Sequence, residues 1–78
     1  VPGPAAELMA VTLTARQADV LREMCKALDN PAIATALRVS EHTVKTHVRD
    51  VLKALGARDR LHAVVLVWSG AVRVTLRD

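Results

Sequence analysis

The 78-residue sequence contains no Phe, no Tyr and a single Trp. With aromatics at 1%, aliphatic side chains such as Ala, Val and Leu must supply nearly all apolar burial. That composition leans helical, while the Val content keeps strand open. Cysteine is equally scarce. Cys25 stands alone, which excludes an internal disulfide and a Cys-rich zinc site, and the chain reads as intracellular, with a cytoplasmic location expected. Three Gly are too few for a nucleotide cradle, and neither a glycine-rich phosphate loop nor a Ser/His/acid set is visible. The longest apolar run, Ala63 to Trp68, falls far short of the roughly 18 residues that a membrane span needs. No charged-then-apolar leader opens the chain, and a start at Val1 reads as a piece of something longer.

Two further constellations carry no chemistry. His42 and His47 stand five apart and His62 lies in another segment, so no two imidazoles share a helical face as metal ligands four apart would. Cys25 sits within an apolar stripe without a flanking His, which makes it a buried thiol rather than a nucleophile. No enzymatic activity, metal or cofactor is therefore expected. A chain this short buries only about 60% of the surface its unfolded form exposes, which leaves room for a partner to add stability.

Charge is more informative by position than by sum. The formal net charge is +3. Between Arg38 and Arg60 lie six cations, Arg38, Lys45, Arg49, Lys53, Arg58 and Arg60, against three anions, Glu41, Asp50 and Asp59. Elsewhere the signs balance. Positive charge gathered on one surface is the electrostatic footprint of a nucleic-acid binder, whereas a solvated helix that happens to be basic would show no such geometry.

Helix boundaries are well marked. Val1 to Ala10, with Pro2, Gly3 and Pro4, looks like a linker end. Thr14 followed by Gln17 forms a capping box, and Ala18, Leu21, Met24, Cys25 and Leu28 recur on one face of a helix from about Ala15 to Ala27. Asn30-Pro31 is a second start, with Asn30 as the cap and Ile33, Ala34 and Leu37 buried behind it. After a very short connection at Arg38-Val39, Ser40 caps a third helix that runs to about Leu55 and stops at Gly56. Asp59 can cap a fourth. Its body, Leu61 to Trp68, is β-branched enough to pass for a buried strand, but the cap and Gly70 favour helix. Beyond Gly70, the alternation of Val72, Val74 and Leu76 with Arg73, Thr75 and Arg77 predicts coil or an edge strand.

On the third helix, Val44, Val48, Val51, Leu52 and Leu55 collect on the side that must face the core. The opposite side carries His42, Lys45, Thr46, Arg49 and Lys53, with no acid among them. A short helix, a tight turn and a longer helix with a cationic exterior is the arrangement by which a helix-turn-helix enters the DNA major groove. Lys45 and Arg49 can donate to the guanine N7 and O6 acceptors, Thr46 offers a hydroxyl and a methyl, and His42 donates or accepts. Lys53 is placed for phosphate, and Thr43, Arg38 and Asn30 are further phosphate candidates.

These residues resemble the LuxR-type (also called GerE- or NarL-type) helix-turn-helix domain of bacterial transcription regulators. The likeness runs from Leu13 to about Val72. It is carried by Leu13-Thr14-x-Arg16, Val20-Leu21, Asn30-x-x-Ile33-Ala34-x-x-Leu37 and Val39-Ser40-Glu41-x-Thr43-Val44-Lys45-Thr46-His47-Val48. Lys53-x-Leu55-Gly56-Ala57-Arg58-Asp59-Arg60 and Ala63-Val64 complete it. The resemblance implies a four-helix DNA-binding domain, usually the C-terminal output of a response regulator or ligand-sensing activator and often dimeric through its last helix. The sequence departs from the family at Gln17, where Glu is usual, at Ala27, where Gly is usual, and at Ala32, where an acid is usual. Gln17 keeps the capping function, Ala27 requires the first helix to end without a left-handed glycine, and no family-typical ion pair is expected at Ala32.

The expected architecture is all-α, a compact four-helix domain containing a helix-turn-helix with a short extended C-terminal tail. It divides into a linker remnant over 1–11, the LuxR-type domain over 12–72 and the tail over 73–78. The expected partners are double-stranded DNA, an upstream receiver or sensor domain and a second subunit, with no membrane. The second subunit follows from Leu61, Val64, Val65 and Trp68, which form one face of a fourth helix whose other side is apolar too, unless the tail folds back over it. A rival reading makes the basic stripe a dock for an acidic protein. Against it, protein hot spots favour Trp, Tyr and Arg in desolvated pockets, and only Arg occurs on the stripe.

Overall fold

The computed structural model describes residues 8–77. In chain order it comprises β1 (Met9–Thr14), α1 (Ala15–Met24), α2 (Asn30–Leu37), α3 (Glu41–Leu55), α4 (Arg60–Trp68) and β2 (Val72–Arg77).

Side-chain caps start every helix. The Gln17 amide N–H donates to Thr14 Oγ1 at 3.1 Å and the Thr14 N–H donates to Gln17 Oε1 at 3.0 Å, so both halves of the capping box form. For α2 the cap is Asp29 and not Asn30: the Asp29 carboxylate accepts from the Ala32 N–H at 3.0 Å, and Asn30 becomes the first helical residue ahead of Pro31. The carboxylate is the better acceptor at a helix start, and Pro loses no bond one residue further in. Ser40 accepts from the Thr43 N–H at 3.0 Å, and Asp59 from the His62 N–H at 2.8 Å.

All four helices end in one motif, in which a left-handed residue and its successor donate back to the last-turn carbonyls. Gly56 (φ 65°) and Gly70 (φ 78°) fill that place behind α3 and α4, whereas Ala27 (φ 65°) and Arg38 (φ 60°) fill it behind α1 and α2. The Ala27 N–H reaches Met24 O and the Leu28 N–H reaches Glu23 O. Helix α1 therefore stops at Met24, short of the expected Ala27, and, with no glycine at its end as expected, Ala27 itself takes the left-handed conformation.

The all-α expectation gives way to four helices plus a small sheet. β1 and β2 pair in parallel, with Met9 against Val72, Val11 against Val74 and Leu13 against Leu76. Two short alternations explain it: Val11 and Leu13 point into the core and are 5% and 0% exposed, and the tail's apolar positions fall in step beside them. Of the expected linker remnant, residues 1–7 lie outside the described residues, while Met9 to Val11 belong to β1. The tail is strand through Arg77.

Leu13, Val20, Met24, Ile33, Val44, Val51 and Leu55 are fully buried and form one cluster that Ala63 completes from α4. Helix α3 runs through it, touching α1, α2, α4 and β1. Burying side chains of this kind contributes about 1.5–3 kcal/mol each, so α3 is held firmly by its inner face. That grip positions the outer face.

Candidate nucleic-acid interface

The inner face of α3 is Val44, Val48, Val51 and Leu55, with Leu52 half-buried at its margin. A turn of about 100° per residue then forces His42, Lys45, Thr46, Arg49 and Lys53 to the other side. His42, Lys45, Arg49 and Lys53 are exposed and Thr46 is half-buried. From Lys45 to Lys53 the row spans about 12 Å along the axis at 1.5 Å per residue. A major groove of about 12 Å width admits such a helix.

Hydrogen bonds fix several of these groups. The Thr46 hydroxyl donates to the His42 carbonyl at 3.2 Å, so its methyl and oxygen lone pairs are what remain outward. Thr43 Oγ1 accepts from the Ser40 hydroxyl at 2.9 Å, which leaves the Thr43 proton as an outward donor beside the start of α3. Among the described residues, Arg38, Lys45, Arg49 and Lys53 take part in no ion pair; the pairs that form join Arg16 and Arg22 to Asp19, and Arg22 and Lys26 to Glu23. The helix thus presents Lys45, Arg49 and Lys53 without an ion-pair partner among the described residues.

Asn30 sits apart from that row. Its side-chain oxygen accepts from Arg60 Nη1 at 2.7 Å, while Arg60 Nη2 donates to the Leu28 carbonyl at 2.8 Å. The contact staples the turn between α1 and α2 to the start of α4, and it engages the side-chain oxygen of Asn30 rather than its NH2 group. Sequence reasoning counted Arg60 among the surplus cations and missed this structural use. The partners lie thirty residues apart in sequence, where no local pattern connects them.

His47 falls on the flank of α3, half-buried, with Nδ1 enclosed and unpartnered among the described residues. Cys25 is half-buried, and burial pushes its thiol pKa up. No described group of three or more His, Cys, Asp or Glu side chains is placed to hold a metal, and no described helix is long and apolar enough to cross a membrane.

Leu61 (71% exposed), Val65 (52%) and Trp68 (74%) stand on the outer face of α4, with Val64 half-buried beside them. The tail does not cover them, because β2 lies against β1. Next to this face an apolar hollow of about 410 Å³ opens between the end of α1 and α4, lined by Met24, Cys25, Leu28, Leu61 and Val64 among others.

An eight-residue helix, a turn over 38–40 and a fifteen-residue helix whose outer row carries Lys45, Arg49 and Lys53 and no acid define the class, a helix-turn-helix domain of the DNA-binding, transcription-regulating kind. The family model for bacterial regulatory proteins of the luxR family matches residues 11–67, and the chain belongs to that family. It is similar to the nitrate/nitrite response regulator protein NarP of Escherichia coli (strain K12), 46% identical over 54 residues that make up 69% of this chain and 25% of that protein. It is also similar to the uncharacterized transcriptional regulatory protein YxjL of Bacillus subtilis (strain 168), 48% identical over 77% of this chain and 28% of that protein. The transcriptional regulatory protein DegU of Brevibacillus brevis is 43% identical over 80% of this chain and 27% of that protein. The chain thus spans about a quarter of the length of these relatives.

Proposed function

We propose that the domain binds double-stranded DNA in a sequence-specific manner as the output module of a transcription regulator, with α3 in the major groove. His42, Lys45, Thr46 and Arg49 read base edges, and Asn30, Arg38, Thr43 and Lys53 hold phosphates. The observation that carries this reading is the outer row of α3, four exposed side chains with no carboxylate partner among the described residues, on a helix gripped along its whole inner face. Phosphate contacts supply affinity and register, and base-edge contacts supply sequence. The signal arrives from a receiver or sensor domain upstream, as the names of the response-regulator relatives suggest. Two copies associate through the face of α4 formed by the exposed Leu61, Val65 and Trp68 with half-buried Val64, which predicts inverted half-sites.

Selection from random duplex DNA at near-physiological salt tests the reading, with the wild type run in parallel with a Lys45→Ala/Arg49→Ala variant. The expected result is a half-site enriched by the wild type alone, present as inverted copies at fixed spacing. Failure of the folded wild type to enrich any sequence would overturn it in favour of an acidic protein partner on the same face.

A further inference from the structure

The small sheet is unfinished. Parallel sheets are as a rule covered on both faces, yet this one has two strands among the described residues, and β2 is exposed from Arg73 through Arg77. In a parallel ladder, alternate residues turn both their N–H and C=O groups to the same neighbour. The Met9 N–H donates to the Ala71 carbonyl at 2.8 Å, so Arg73, Thr75 and Arg77 follow Ala71 in facing β1. Val72, Val74 and Leu76 then direct their backbone donors and acceptors out of the free edge. Their side chains share the sheet face of Val11 and Leu13 but overhang the core, with Val74 37% and Leu76 59% exposed. An edge that offers unpaired backbone groups and uncovered apolar side chains together is a template for another strand.

We infer that this edge is a self-association surface, on which the β2 strand of a second copy adds antiparallel about a two-fold axis at Val74. The register follows from the residues. Centred on Val74, each outward-facing residue meets an outward-facing one, with Val72 opposite Leu76 of the second copy and Val74 opposite Val74. Arg73 then stands opposite Thr75. A slip of two residues one way sets Arg73 against Arg77, and the other way sets Arg73 against Arg73, and like charges directly opposite are destabilising. A slip of one turns the apolar side chains to the wrong face. The strand is therefore self-complementary in one register, and pairing closes a four-stranded sheet in which the overhanging Val74 and Leu76 side chains cover one another. This contact is separate from the α4 face and does not rest on DNA binding. A copy that used both would link neighbouring dimers into a row.

The test is disulfide trapping in a Cys25→Ser/Leu61→Asp background, which removes the native thiol and silences the α4 face. Residues opposite in a hydrogen-bonded antiparallel pair have Cα atoms about 5.5 Å apart, within disulfide reach. Val74→Cys chains should cross-link on mild oxidation, whereas Thr75→Cys chains, whose cysteine faces Arg73, should not. Val74→Pro removes one edge donor without touching the ladder to β1, and it should return the sedimentation of the background chain at high concentration to that of a monomer. Cross-linking of Val74→Cys no faster than Thr75→Cys, or sedimentation that Val74→Pro leaves unchanged, overturns the proposal.

Discussion

Helices α3 and α4 open and close by the same devices. Each begins at an extended residue whose side chain accepts from the amide of the third helical residue, and each ends on a left-handed glycine. Between those ends they part. Val44, Val48, Val51 and Leu55 of α3 are all buried and the residues opposite them are polar, whereas α4 fully buries only Ala63 and turns Leu61, Val65 and Trp68 outward. Helix α3 is complete as a surface helix, with a polar exterior that water satisfies. Helix α4 is apolar on both sides, and its outer side stays exposed among the described residues. Local capping rules decide where a helix runs, and the pattern around its axis decides what it is for.

The two helices should differ most in packing. Leu55, 2% exposed, should lose about 2–5 kcal/mol of stability as Leu55→Ala, while the 71% exposed Leu61 as Leu61→Ala should stay within about 0.5 kcal/mol, both read from urea denaturation. Equal losses would mean that α4 is held by its outer face after all. On the outer face of α3, Arg49→Ala should cost about 1–3 kcal/mol of DNA binding and relax one base position, whereas Lys53→Ala should weaken all sequences alike and lower the salt slope by about 1. Titrations on matched and scrambled duplexes at two salt concentrations separate these outcomes. Ser40→Ala, which removes the cap of α3, should cost about 1 kcal/mol in thermal denaturation. Ala27→Gly should stabilise by about 0.5–1 kcal/mol, since relief at φ 65° exceeds the entropy gained by the unfolded chain; a loss would mean that the Ala27 methyl group makes a contact that the strain conceals.

The smallest effect belongs to Cys25. Burial raises its pKa, so the thiol's contribution is fully present below the unfolded thiol pKa and is lost as pH rises through the folded value. Stability of the wild type should fall more steeply at alkaline pH than that of Cys25→Ala.

What was legible in the sequence was what is local. The Thr14-Gln17 box, Ser40, Gly56 and Asp59 act where a few neighbouring residues suffice to specify them. The rows on α3 follow from helical periodicity alone, and so the candidate interface was readable before its geometry. What could not be read was contact across the chain. Met9, Val11 and Leu13 alternate as plainly as Val72, Val74 and Leu76, but Pro2 and Pro4 upstream disguised the first run as linker, and each strand exists because of the other. The Arg60 staple to Asn30 and Leu28 is invisible for the same reason. Ala27 shows a different limit: the end geometry of α1 was fixed by where the chain had to go next, and it overrode the preference of the residue.

The parallel ladder has one more property. Its partners stand about 60 residues apart, so forming it closes a loop around all four helices. Closure of so long a loop gains nothing until the helices have assembled between its ends, which makes the sheet a late event in folding and the first to let go. The strand joins the stretch of chain that enters the domain to the stretch that leaves it, in the same direction. Tension applied to the two ends therefore loads its hydrogen bonds in shear rather than peeling them one by one. Amide exchange at Arg73, Thr75 and Arg77, whose N–H groups face β1, would report whether the entry to the domain is clasped or open.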